Sequence, residues 1–255
     1  MTKETHLKHW MILAAGLTLA LPAHAFDWGE LLKGVTSKPA EQTTTSSSVD
    51  ALSNTEINAG LKEALTRGAD AAVTQLGRKD GFFGDPKLKI PLPPTLQKAD
   101  KAMRMLGMGK QADDLVLSMN RAAEAAVPEA RTLLVGAVKE MTLDDAKGIL
   151  TGGQTAATDF FRRKTEATLT ERFTPIVKTH TDKVGLAQQY NQYAGAAAQF
   201  SLIDEKQANI ENYVTLQALD RLYTVIGEKE AAIRANPVQA GSDLLKKVFG
   251  AVTGK

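Results

Sequence analysis

The chain has 255 residues, 43% hydrophobic and 24% charged, with 31 Lys and Arg against 29 Asp and Glu and no cysteine. That composition is ordinary for a globular protein and long enough to bury a sizeable core. The near balance of charge argues against nucleic acid as a partner, and the lack of cysteine excludes disulfides, thiolate zinc sites, iron-sulfur clusters and cysteine nucleophiles.

Residues 1–25 read as a secretory signal peptide. Lys3 and Lys8 precede the apolar run MILAAGLTLAL, and Ala23-His24-Ala25 forms a small-residue cleavage site. The run is too short to span a bilayer. Cleavage after Ala25 predicts a periplasmic protein starting at Phe26, with no lipid anchor and no transmembrane segment. Removal of the leader leaves 29 basic and 28 acidic residues and one histidine, His180. No multi-histidine metal site is then expected, and no cofactor.

Residues 26–49 comprise a short apolar segment, FDWGELLKGV, and a linker rich in Ser and Thr with little to bury. Residues 50–255 read as a single helical domain. Ser53-Asn54-Thr55-Glu56 has the form of a capping box and opens a helix with Ile57, Leu61, Ala64, Gly68 and Ala72 on one face, which Gly77 ends. Residues 77–94 contain Asp80-Gly81, Asp85-Pro86 and three later prolines, so the rhythm breaks. Within this stretch Leu88, Ile90 and Leu92 alternate with Lys87, Lys89 and Pro91, which predicts an extended segment packed on a helical surface rather than a sheet.

Further helices are predicted at 95–106, 110–126 and from Pro128 to about Met141. Thr142-Leu143-Asp144-Asp145 caps a short helix that Gly152-Gly153 ends. A helix over 155–173 follows, and Thr174-Pro175 reads as the start of another over 175–184. The last helices fall at 186–199, 204–234 and 242–250, with a break at Asn236-Pro237. In 204–234 Ile210, Val214, Ala218, Leu219, Leu222, Tyr223, Val225 and Ile226 cover over half the circumference, which predicts a central helix. The fold class is all-α: an irregular bundle of about eight to ten helices with one long non-helical loop and no sheet.

The chemistry is sparse. His180 lacks the surroundings of a nucleophilic triad, and the adjacent carboxylates Asp113-Asp114, Asp144-Asp145 and Asp204-Glu205 diverge by about 100° on a helix. No EF-hand, phosphate loop or dinucleotide fingerprint is present. Catalytic and metal-binding residues are therefore not expected. Candidate ligand-binding residues are Asn120, Arg121 and Glu124, a polar cluster with Arg121 and Glu124 at helical pair spacing. Arg162 and Arg163, beside Phe160-Phe161, are candidates for a phosphate, glycan or lipid headgroup. The tyrosines of the C-terminal half can edge a cavity or simply pack. The amphipathic ends, Phe26 to Leu32 and Leu244 to Phe249, can dock on the domain, on a partner or peripherally on anionic lipid.

Asp80-Gly81-Phe82, Ile90-Pro91-Leu92-Pro93 and Met119 to Glu124, followed by Ala156 to Phe161, Ala218-Leu219-Asp220 and Asn236-Pro237, form an ordered set of motifs. With them, residues 50–250 resemble an uncharacterised bacterial family of exported helical proteins catalogued as a domain of unknown function. The resemblance implies export and a helical build, and it supplies no functional residue. The leading expectation is a non-enzymatic periplasmic domain that binds a protein or small envelope ligand at the 77–94 loop and the 120–124 cluster. The alternative is a carboxylate-dependent hydrolase of cell-wall glycan using Glu124 or another buried glutamate as general acid. A purely structural envelope element is a third.

Overall fold

A computed structural model describes residues 54–199 and 204–236, all within the unit spanning 46–255. The expected leader, the apolar segment at 26–35, the linker, Ser53 of the first capping box, Phe200, Pro237 and the helix at 242–250 lie outside the described residues.

The described residues are all-helical, with no strand among them: α1 (Asn54–Gly77), α2 (Pro94–Met105), α3 (Gly109–Ala126), α4 (Ala130–Lys139), α5 (Leu143–Thr151), α6 (Ala156–Thr181), α7 (Gly185–Gln199) and α8 (Ile210–Ala235). Pro128 sits in a 3-10 turn, Val127–Glu129, that leads into α4. Proline suits this position because the first turn of a helix needs no amide donor from it. Thr142 and Asp145 form the expected capping box at the head of α5, the threonine hydroxyl accepting from the Asp145 amide at 3.1 Å and the carboxylate accepting from the Thr142 amide at 3.1 Å.

Helices α6 and α8 pack along each other, α3 lies against α6, and α1 covers α8 and α4. All eight apolar residues expected to make the last long helix central are buried. In α6 the fully buried Leu169, Phe173 and Val177 recur every four residues, and Phe160 and Phe161 are both buried because α6 has neighbours on more than one side. The two rings meet edge to face, with centroids 5.7 Å apart.

Two boundaries differ from the sequence reading. Helices expected at 155–173 and 175–184 are one helix, with Pro175 in its interior. Proline removes one backbone donor there, but Phe173 and Val177 on either side are both sunk in the core, which keeps the two halves in line. The hydroxyls of Thr170 and Thr174 each donate to the carbonyl four residues back, at 2.8 and 2.7 Å. The helix expected from 204 begins at Ile210 instead, after a 3-10 turn at 205–207. Asn209 caps it, its side-chain oxygen accepting from the Asn212 amide at 2.7 Å.

Candidate functional site

The segment between α1 and α2 begins with a tight turn. The Gly81 amide donates to the Arg78 carbonyl at 3.0 Å, and Asp80 takes a left-handed φ of 64°, a conformation that aspartate tolerates better than most residues. Gly81 is required on space alone, since a Cβ there would lie 2.4 Å from the Leu76 carbonyl oxygen. Further on, the Leu88 and Lys89 amides both donate to the Asp85 carbonyl, at 3.0 and 2.8 Å. Lys87 and Leu88 thus belong to a turn, and the extended stretch starts only at Lys89 rather than at Lys87; the burial alternation holds, with Leu88, Ile90 and Leu92 buried, Lys87 and Pro91 exposed and Lys89 half-buried.

Helix α3 grips this segment with two polar side chains one turn apart. Asn120, 0% exposed, accepts from the Ile90 amide at 2.8 Å and donates to the carbonyls of Ile90 at 2.9 Å and Val116 at 2.7 Å. It thus replaces the strand partner that the extended segment lacks. Glu124, 5% exposed, accepts from the amides of Phe82 at 3.1 Å and Phe83 at 3.2 Å on one oxygen. Its other oxygen accepts from Arg121 at 2.6 Å.

Arg121 also donates to Asp80 at 2.7 Å, which ties the turn to the helix. The two carboxylates, Glu124 first, raise the pKa of the Arg121 guanidinium. The Arg121 guanidinium and the Lys89 ammonium both lie by the Phe83 ring, 5.7 and 4.2 Å from its centre. Asn120, Arg121 and Glu124 therefore converge on one structure: they hold the 80–90 segment in place, with their polar atoms spent on it.

The segment so held forms one wall of an open groove of about 630 Å³, within the range of small-ligand sites. Phe83, Lys87, Lys89 and Pro91 face α2 with Asp100 and Arg104, α3 with Asp113 and Val116, and α8 with Arg221. Arg104 donates to Asp100 at 2.9 Å and to both oxygens of Asp113 at 2.7 and 3.3 Å. The bond to Arg104 holds the Asp113 carboxyl below the usual carboxylate range. Arg221 donates through Nη1 to the carbonyl and side-chain oxygen of Gln217, at 3.1 and 2.7 Å, and through Nη2 to the Lys89 carbonyl at 3.5 Å. Its buried Nε has no partner.

Arg162 and Arg163 do not join this site or each other. Arg162 pairs with Glu166 at 3.1 Å and Asp220 at 3.5 Å and stacks on Tyr223. Arg163 lines a separate cleft between α5 and α6 with Asp144, Asp145 and Asp159. Adjacent helix positions diverge by about 100°, so the basic pair does not form a single anion site. Three tyrosines spend their hydroxyls on packing contacts: Tyr190 on the Gln207 carbonyl at 2.7 Å, Tyr213 on the Pro91 carbonyl at 3.1 Å and Tyr223 with Thr165 at 2.9 Å. Tyr193 is exposed. Tyr190 and Tyr193 edge an open pocket of about 370 Å³ between α2 and α7, and a pocket among α1, α5, α6 and α8 has room for about 30 Å³, little more than one water molecule.

Sequence reasoning missed two buried anchors. Glu230 accepts from the amides of Ala157 at 3.0 Å and Thr158 at 2.9 Å, capping α6, and is paired with Arg234 at 2.7 Å. Glu211 accepts from Asn191 at 3.0 Å, and the Asn191 side-chain oxygen takes the Ile210 amide at 2.7 Å. The i,i+4 spacing of Glu230 and Arg234 was the only signal available. Arg221 was also missed as a groove residue, since nothing local brings α8 to the extended segment, whereas Lys87 and Lys89 belong to the 77–94 loop expected to carry the binding surface.

Fold and site together define an all-helical domain with a polar-clamped loop beside a surface groove, and no group of three potential metal-ligating side chains occurs among the described residues. Residues 51–250 match the family model described as Protein of unknown function (DUF4197), and the chain belongs to that family. Comparison with curated proteins and with solved structures returns no match.

Proposed function

We propose that the protein is an exported, periplasmic and non-enzymatic binding domain whose ligand, a small envelope molecule or a segment of a partner protein, sits in the groove walled by residues 83–92, α2, α3 and α8. The observation that carries this reading is the grip of Asn120 and Glu124 on the extended segment. It gives a loop, normally the most mobile part of a fold, a fixed backbone beside a cavity. In this reading Asn120, Arg121 and Glu124 are positioning residues that shape the wall rather than touch the ligand. Export is supported by the leader-like sequence at 1–25. Among the described residues no helix is long and apolar enough to cross a membrane.

A hydrolase of cell-wall glycan needs a carboxyl group with a free oxygen facing the substrate. Both oxygens of Glu124 are occupied as acceptors, as are both of Asp113, and the one oxygen of Asp100 not bonded to Arg104 is buried away from the groove's open space. That arrangement favours binding over catalysis. The test is chemical-shift mapping of the isotopically labelled protein against a fragment library of neutral and charged compounds. Shifts concentrated at residues 83–92, Arg104 and Arg221 are expected. Fragments that bind only elsewhere, or turnover of peptidoglycan by the purified protein, would overturn the reading. N-terminal sequencing of the protein from a periplasmic fraction should begin at Phe26.

A further inference from the structure

The groove's charges do not cancel. Four cationic side chains, Lys87, Lys89, Arg104 and Arg221, line it against two carboxylates, Asp100 and Asp113. Asp113, which also feels Lys89, is bonded to Arg104 through both oxygens, while Asp100 gives Arg104 one oxygen and its other, buried, has no hydrogen-bond partner. Among the described residues Lys87, Lys89 and Arg221 have no ion-pair partner. Arg221 is the most telling of the three. It is half-buried, its hydrogen-bond acceptors are neutral oxygens, and burial lowers its pKa by more than Tyr213 and the nearby Asp220 raise it. A guanidinium taken from water with no carboxylate bonded to it is unfavourable by an amount that an anion on the same site offsets.

The groove walls also include carbon surface from Phe83, Pro86, Pro91, Leu92 and Val116. A bare inorganic ion would leave most of that surface and most of the 630 Å³ unused. We infer that the groove binds a small organic anion carrying a phosphate or carboxylate group, with Arg221 and Lys89 holding the charged end, Lys87 at the rim and the proline-lined wall covering the carbon portion. This inference rests on the groove being the ligand site and adds the class of ligand.

The test titrates the full chain with glycerol 3-phosphate, citrate and neutral glycerol, and with phosphatidylglycerol and phosphatidylcholine vesicles, followed by calorimetry and chemical-shift mapping. One anion bound per chain is expected, with affinity falling as salt rises. Arg221→Gln and Lys89→Gln should each weaken it at least about tenfold, the loss of one charge-assisted contact. Arg163→Gln, outside the groove, should leave it unchanged. Lys89 lines the open groove, so its substitution keeps the fold and reports on the site even where Arg221→Gln is unstable.

Binding of the free anions identifies a soluble source. Binding confined to phosphatidylglycerol vesicles and lost in Lys89→Gln identifies a lipid headgroup. Neutral fragments that bind the groove as tightly as anions, or equal weakening by Arg163→Gln, would sink the anion inference while leaving the groove a ligand site. Absence of any ligand in the groove would sink both.

Discussion

Glu124 accepts the backbone amide of Phe82 at 3.1 Å across 42 residues of sequence, and the same oxygen takes the next amide, that of Phe83. Replacing it with glutamine removes the charge that Arg121 faces at 2.6 Å and weakens both amide bonds. Glu124→Gln should cost about 2–4 kcal/mol, below the full cost of breaking a buried ion pair because Arg121 is partly exposed and keeps Asp80. Urea denaturation measures it. A value near zero would show that the turn holds without the carboxylate.

Asn120 offers a finer test because it both accepts from and donates to Ile90. Asn120→Asp retains the acceptor but turns a carboxylate oxygen on the Ile90 and Val116 carbonyls that the amide now bonds, whereas Asn120→Ala strands the two Ile90 groups without adding a charge. Each stranded buried group costs about 1–3 kcal/mol and an unpaired buried charge more, so at neutral pH Asp should destabilise more than Ala in urea denaturation. Hydrogen exchange at the Ile90 amide should accelerate strongly in Asn120→Ala, where its acceptor is gone.

A methyl group at Gly81 meets the Leu76 carbonyl oxygen at 2.4 Å, while one at Gly153 meets nothing within 4 Å. Gly81→Ala should therefore destabilise by about 2 kcal/mol or more through a forced backbone shift, and Gly153→Ala by less than about 0.5 kcal/mol. Thermal melts of the pair decide this. Equal melting temperatures would mean the turn relaxes at no cost.

Burial pushes the Tyr223 hydroxyl from 10.0 up to about 12. In the unfolded chain the phenol ionises at the lower value, so the stability it contributes is full below pH 10 and is lost between pH 10 and about 12. Tyr223→Phe should be less stable at neutral pH, where the bond to Thr165 is lost, and should lose less on going to alkaline pH. Denaturation at pH 8 and pH 11 gives the comparison, and parallel losses in both proteins would refute the assignment to Tyr223.

Much of the helical frame was legible because its signals are local. The Thr142 cap, the buried face of α8 and the alternation of Leu88, Ile90 and Leu92 follow from spacing alone. Pro175 misled because a proline signals a helix start unless the residues around it are pinned, and Phe173 and Val177 are pinned only by distant helices. Arg121 and Glu124 are visible as a helical pair, but nothing near them announces the Phe82 amide or Asp80. Glu230 reads like any solvated helix glutamate until α6 brings its free amides alongside. The groove is less legible still, since its residues come from the loop, α2, α3 and α8 and share no sequence neighbourhood.

The cap on α6 comes from Glu230, 73 residues further along the chain than Ala157. The acceptor for those two amides therefore reaches them only when α8 docks on α6. Until then α6 starts with unanswered donors and an uncovered apolar face, which links closure of the bundle to the arrival of the last long helix described.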